Sequence, residues 1–364
     1  MKILQISTAS YTIGGMSEYV RNVSSRLARN HDVTVYATNP SHRLPQNEII
    51  DGVKVIRFSG FNPNGAYYLS LSMLGELMKN KFDIVHAHNY HGFPFHIARF
   101  SGKNVFCLSP CYHGSGHTSF RKKLLQISQF VGQSTLNEAN YIFAASEFEK
   151  NLLLRDFDLS KKEVLVIPRG ISFPEFDIDL EEKHNGSKKN ILFVGRLVDY
   201  KGIQYLVEAM PQIDSNISLN IVGSGPLKQF LMNRIKKLNI SDRVKFYQNL
   251  DRKDLVKMYH DADLFVLLSK FEAFSKVISE SLYSGVPCLV ANNSALTEWI
   301  DNKVCFTLNN PTDINELALK INDIIYRKFD PLEVRNTFLG SKIIDWDEVV
   351  DTLEFYYNKK MGAL

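Results

Sequence analysis

Short apolar runs bounded by turn residues recur along this chain, separated by stretches whose apolar positions repeat every three to four residues. The first kind predicts buried strands and the second amphipathic helices. In the first half the runs fall at 2–6, 32–37, 53–58, 84–86, 104–108, 141–144 and 164–167, with helix patterns at 17–29, 69–80 and 147–157. The rhythm restarts with runs at 190–194, 218–222, 244–247, 264–267 and 287–291, spaced by helix patterns at 202–210, 226–238 and 252–260. A last pattern, 346–359, carries Val349, Val350, Leu353 and Tyr357 at helical spacing. Strand–helix alternation predicts an α/β architecture of doubly wound, mostly parallel sheets. Residues 172–189 are polar and charged without a sustained period, the composition of an interdomain linker. The pattern therefore predicts two domains, 1–171 and 190–342.

Composition refines this picture without changing it. With 364 residues, 45% hydrophobic, the chain has apolar surface for two cores. The net charge of +4 is uneven: residues 1–170 hold 19 Lys/Arg against 12 Asp/Glu, and the remainder 24 against 27. A basic first half suits an acidic partner such as a phosphate-bearing lipid or membrane surface, or else reflects solvated lysines. No long basic run interleaved with aromatics points to nucleic acid. Four cysteines, Cys107, Cys111, Cys288 and Cys305, are too few for a disulfide scaffold and read as reduced thiols. The short alternating run after Met1 reads as a strand rather than a leader, and no eighteen-residue apolar stretch occurs. The expected location is cytoplasmic.

Ligands of open α/β sheets bind where strands hand over to helices. The segment 191–210 places Arg196 and Lys201 in one such loop before a helix, where main-chain N–H groups already favour an anion. A pyrophosphate suits this loop; the alternative is two surface charges on a turn. Gly223 and Gly225 punctuate the next strand–helix junction. The segment 270–291 sets Glu272 in a loop and Glu280 eight residues on, in the following helix. One carboxylate can accept from two ribose hydroxyls and another can hold a sugar ring, while N–H groups near 274–277 face the same space.

These segments resemble a known family. E-A-F-S-K-V-I-S-E-S-L-Y-S-G-V-P (272–287) is similar to the E-x7-E motif of retaining GT-B glycosyltransferases of family 4, and G-R-L-V-D-Y-K-G (195–202) to their Arg/Lys phosphate loop. I-G-G-M-S-E-Y-V (13–20), F-D-I-V-H-A-H (82–88) and V-I-P-R-G-I (166–171) resemble further family motifs in the expected order. The resemblance implies two Rossmann-like domains facing a cleft. The first would bind the acceptor, a glycan or lipid-linked species, and be completed by the C-terminal helix 343–364; the second would bind a nucleotide-sugar donor. It implies that Arg196 and Lys201 neutralise the donor diphosphate, that Glu280 holds the ribose and that Glu272 contacts the transferred sugar. Phe274, Ser275, Lys276 and Val277 would offer main-chain N–H groups. Gly223 would approach the donor, Leu250 would meet the base, Gly14 and Gly15 would lie against phosphate or sugar, and His113 would face the sugar. The resemblance further implies transfer of a hexose with retention, by front-side attack assisted by the leaving phosphate, with no metal or other cofactor. Lys201→Ala or Glu280→Ala is expected to cost orders of magnitude in turnover with the fold intact. Ala273 and Ser275 stand where the family has glycines, and Arg169 and Ser172 where it has Asn and Asp.

Two rival classes remain at this level: a catalytically silent nucleotide-sugar-binding regulator, and a metal-dependent hydrolase built on the histidines 86–117. His86, His88, His91, His96, His113 and His117 are dense, yet no acidic residue lies between Asp83 and Glu138 to support a zinc site. Asp261-Ala262-Asp263 has the spacing of a metal-binding D-x-D but reads as the end of a helix and the start of a strand. Residues 120–136 mix Arg121, Lys122 and Lys123 with apolar positions, a helix able to lie on an anionic membrane or to bury one face in the core.

Overall fold

The apolar runs of the first half form β1 (Lys2–Ile6), β2 (Asp32–Thr38), β3 (Asn47–Ile50), β4 (Val53–Phe58), β5 (Lys81–His88), β6 (Gly102–Ser109), β7 (Tyr141–Ala144) and β8 (Val164–Val166). Between them lie α1 (Gly15–Leu27), α2 (Leu71–Lys79), α3 (Phe93–Ile97), α4 (Ser119–Glu138) and α5 (Glu147–Asp156). The structure is a computed structural model. It describes residues 1–8, 10–11, 14–39, 43–61, 69–114, 119–176 and 188–362, with the side chains of 119–128 excluded. Helix starts follow local chemistry: Ser70 accepts from the Met73 N–H before α2, and Ser146 from the Glu149 N–H before α5. The strands pair in the order β3-β4-β2-β1-β5-β6-β7-β8, parallel throughout except for β3 against β4.

The second half forms β9 (Lys189–Val194), β10 (Ile217–Val222), β11 (Val244–Tyr247), β12 (Leu264–Leu267), β13 (Cys288–Ala291) and β14 (Cys305–Leu308). Its helices are α6 (Ile203–Ala209), α7 (Lys228–Lys237), α8 (Arg252–His260), α9 (Lys276–Tyr283), α10 (Ile314–Ile325) and α11 (Pro331–Asn336). This sheet is entirely parallel, in the order β11-β10-β9-β12-β13-β14. That is the 3-2-1-4-5-6 order of a Rossmann-like sheet, which the first unit also follows, with one further parallel strand, β8, once its antiparallel edge strand is set aside.

The chain divides into two compact units, Met1–Gly170 with Trp346–Leu364, and Ile171–Asp345. The last helix, α12 (Trp346–Met361), thus belongs to the first unit. It buries Trp346, Val349, Val350, Leu353 and Tyr357, and its Asp347 accepts from Arg26 Nε of α1 at 2.8 Å. Residues 173–176, within the stretch read as linker, form a 3₁₀ turn whose Phe176 is buried in the second unit. The strands β3 and β14 and the helices α3, α10 and α11 are additional to those the pattern predicts.

Candidate active site

In the second unit the strand order reverses between β9 and β12, where open sheets form their ligand crevice. β9 runs into Gly195 and Arg196, and a 3₁₀ turn at Asp199–Lys201 leads through Gly202 into α6. Gly202 has φ 74°, and a Cβ there would sit 2.4 Å from the Leu268 carbonyl oxygen. The loop after β9 therefore lies flush on the loop after β12, and Lys270 N–H donates to the Tyr200 carbonyl at 2.7 Å. The consequence is an ion pair across the switch point: Lys201 Nζ lies 2.5 Å from Glu272 Oε1, with both side chains mostly enclosed.

Gly223 has a main-chain neighbour that the sequence does not reveal. At φ 146°, its absent Cβ would fall 1.9 Å from the Gly195 carbonyl oxygen. Its N–H donates to the Tyr247 carbonyl, and Leu197 N–H donates to Ser224. The protein's own main chain thus demands glycine at 223, bringing the loop after β10 against the Arg196 loop.

Glu280 is 3% exposed and holds three partners. Lys276 Nζ and Arg252 Nη1 reach Oε1 at 3.0 and 2.8 Å, and the Tyr259 hydroxyl donates to Oε2 at 2.8 Å. Burial alone favours the neutral acid, but the charges of Lys276 and Arg252 outweigh it and hold the carboxyl below its ordinary value. Arg252 also donates through Nε to Glu175 at 2.5 Å and lies over the Phe176 ring. Arg252 and Tyr259 escaped the sequence reading. Their signal was the Asp251 cap, which starts α8 and leaves residues 252 and 259 two turns apart on one helical face. Glu280→Ala would strip a buried cluster of its anion, so a loss of stability is expected beside the loss of turnover.

The other predicted residues of this unit surround these groups unevenly. Ser275 has φ 80° and is buried, and α9 begins at Lys276, so its first turn offers main-chain N–H groups at Lys276 and Val277. The Phe274 carbonyl accepts from Trp299 Nε1 at 2.9 Å, and the Glu272 carbonyl from Ala295 N–H. Leu250 lies between Asn249, at φ 52°, and the capping Asp251. Arg196 is exposed and makes no ion pair among the described residues.

In the first unit Gly14 has φ 102° and precedes α1, which starts at Gly15. Among the described residues, a Cβ at either glycine would meet nothing within 4 Å. His113 stacks on His91 with ring centroids 4.2 Å apart. The histidines at the end of β5 are buried packing groups. His86 meets the Tyr357 hydroxyl at 2.7 Å and Ser109 Oγ at 2.8 Å, while His88 meets Gln5 at 2.6 Å. Burial lowers His86 to about 3, keeping it neutral. His96 is likewise pushed down to about 4, chiefly by burial. Among the described residues no cluster of three metal-type ligands occurs; His117 lies outside them. Asp263, from the D-x-D, accepts from Lys189 Nζ and the Asn190 N–H, anchoring β9. On α4, Phe130 and Val131 are exposed, whereas the side chains of Arg121, Lys122 and Lys123 lie outside the described residues. No described helix is long and apolar enough to cross a membrane.

Residues 13–173 match the family described as Glycosyltransferase Family 4, and residues 176–336 match Glycosyl transferases group 1. The chain belongs to glycosyltransferase family 4. It is 29% identical over 323 residues to an uncharacterized glycosyltransferase of Methanocaldococcus jannaschii, covering 80% of each chain. Its fold is similar to sucrose-phosphate synthase from Thermosynechococcus elongatus, with a TM-score of 0.80 at 20% identity over 100% of this chain and 99% of that one. HepE of Anabaena in complex with UDP and glucose gives 0.74 at 16% identity, over 99% and 100%. This family 4 member is therefore a glycosyltransferase of GT-B type, each unit carrying a parallel Rossmann-like sheet.

Proposed function

We propose that this glycosyltransferase moves a hexose from a nucleotide-diphosphate sugar to a glycan or lipid-linked acceptor, with retention and without a metal. The observation that carries the donor assignment is the Lys201–Glu272 pair at the β9/β12 switch point. A cation and a carboxylate held together there match the two demands of a nucleotide sugar, charge neutralisation at the diphosphate and hydroxyl recognition at the hexose. Arg196, exposed and without an ion pair among the described residues, supplies a second cation for the diphosphate. Glu280 takes the ribose, the segment from Phe274 to Val277 that leads into α9 offers N–H groups, and Leu250 meets the base. The relative bound to UDP and glucose supports a donor of the UDP type.

In the first unit Gly14, Gly15 and His113 serve the reacting sugar and phosphate, and this unit receives the acceptor. The departing phosphate draws the acceptor proton, so no side chain need act as base. Thermal-shift measurements with nucleoside diphosphates and their sugars, followed by NMR of the anomeric product in the presence of chelator, test the reading. Stabilisation by one nucleotide sugar and a retained anomer with EDTA present are expected. Inversion, or loss of turnover on chelation, would refute the mechanism; absence of any nucleotide response would refute the donor site.

A further inference from the structure

Arg169 follows β8 at the C-terminal edge of the first sheet, where the family motif has Asn. Its guanidinium lies over the Tyr19 ring, 4.7 Å from the centroid, and Nη2 donates to Cys111 Sγ at 2.6 Å. Tyr19 is fixed in turn by edge contacts to His88 and Trp346. Cys111 is held by a left-handed backbone, at φ 51°. The cation is thus part-buried and pre-oriented, with no freedom to seek a partner elsewhere.

No carboxylate in the unit pairs with it. Glu149 is the carboxylate whose field it feels, after the acids of Cys111 and Tyr19, but both Glu149 oxygens are committed to main chain, Oε1 to the Tyr112 N–H at 2.7 Å and Oε2 to the Ala145 N–H at 2.8 Å. Burial further raises the Glu149 acid to about 7, which thins the negative charge it offers. Every position of this unit outside the described residues is free of Asp and Glu. The Nε and Nη1 groups of Arg169 have no acceptor among the described residues. A part-buried cation without a counter-ion is costly unless a ligand supplies one, and a fixed guanidinium fork suits a two-oxygen anion.

We propose that Arg169, clamped between Tyr19 and Cys111, binds an oxyanion, a phosphate or a carboxylate, carried by the acceptor. This rests on reading the first unit as the acceptor-binding one. It makes the acceptor a charged glycan or sugar phosphate, in keeping with the excess of Lys and Arg over Asp and Glu in residues 1–170.

The test uses the full chain saturated with UDP, so that the donor cations are occupied, and titrates glucose, glucose 6-phosphate and glucuronate by calorimetry. At least tenfold tighter binding of one anionic sugar than of glucose is expected, and the two anionic arms tell phosphate from carboxylate. Arg169→Gln should erase that preference, and Arg169→Lys, which keeps the charge but loses the fork, should reduce it several-fold. No preference in the wild type, or the same preference in Arg169→Gln, overturns the proposal. Should Arg169→Gln fail to fold, an unchanged preference in Arg169→Lys overturns it and a reduced one supports it. The heat of UDP binding to the wild type is read separately. Its absence would refute the donor assignment, while the sugar titrations without UDP still decide the role of Arg169.

Discussion

Replacing Glu280 by Gln keeps the side chain's shape and removes the charge of a carboxylate that is itself almost wholly buried. The carboxylate is 3% exposed and has Lys276, Arg252 and Tyr259 within 3.0 Å. Breaking a buried pair by removing one partner costs about 3–5 kcal/mol, because the surviving cations lose a counter-charge that partial access to water does not replace. Gln retains an oxygen for Tyr259, and Arg252 retains Glu175, so the lower end, about 3 kcal/mol, is expected. For a unit of this size that lowers the melting temperature by roughly 6–12 °C. Circular dichroism melts of both proteins across pH supply the measurement. The pH dependence has a definite sign. The folded carboxyl lies below its ordinary value of 4.5, since Lys276 and Arg252 outweigh its burial, so its stabilisation is present above that value and lost as pH falls through the folded one. The wild type should therefore shed its advantage over Glu280→Gln in acid. A second variant, Glu280→Gln with Lys276→Met, should recover part of the loss by removing the stranded ammonium. Equal melting temperatures at neutral pH would show that the cluster is not closed in solution.

Lys201→Ala should lower kcat/KM for the nucleotide sugar by about 10²–10³-fold, the scale of losing one charge-stabilising group at a departing phosphate; steady-state kinetics with wild-type values would remove Lys201 from the donor site. Gly223→Ala should destabilise the second unit by more than 2 kcal/mol, on the order of other strained positive-φ sites, because its methyl would meet the Gly195 carbonyl; a urea midpoint equal to wild type would contradict the loop contact. Ser275→Gly relieves a left-handed serine and should raise stability by about 1 kcal/mol, read from the same urea curves; a drop would mean the serine side chain contributes more than its backbone strain costs.

The strand rhythm was legible because parallel strands covered on both faces leave continuous apolar runs, as at Leu264–Leu267, whose bounds match the pattern. β3 was not legible: Asn47–Ile50 is an edge strand of alternating exposure with Ile49 in solvent, so its composition carries little pattern. α10 did carry a signal, since Asp313 caps the Glu316 N–H and Leu317, Ile321 and Ile324 share a face. In the candidate site, Lys201, Glu272 and Glu280 stood out because their loops carry turn residues and charge together. The pairing of Lys201 with Glu272 spans 71 residues and depends on β9 and β12 being neighbours, which no local window contains. The same applies to Arg252 and Tyr259, which meet Glu280 only because α8 packs on α9.

The first unit closes only with α12. Tyr357 supplies a partner for His86, and Trp346 backs Tyr19 and lies so close to Gly170 that a Cβ there would clash. During synthesis these residues leave the ribosome only after the whole of 171–345 has emerged. The second sheet can therefore mature on the nascent chain while the first, though started earlier, waits for the final helix.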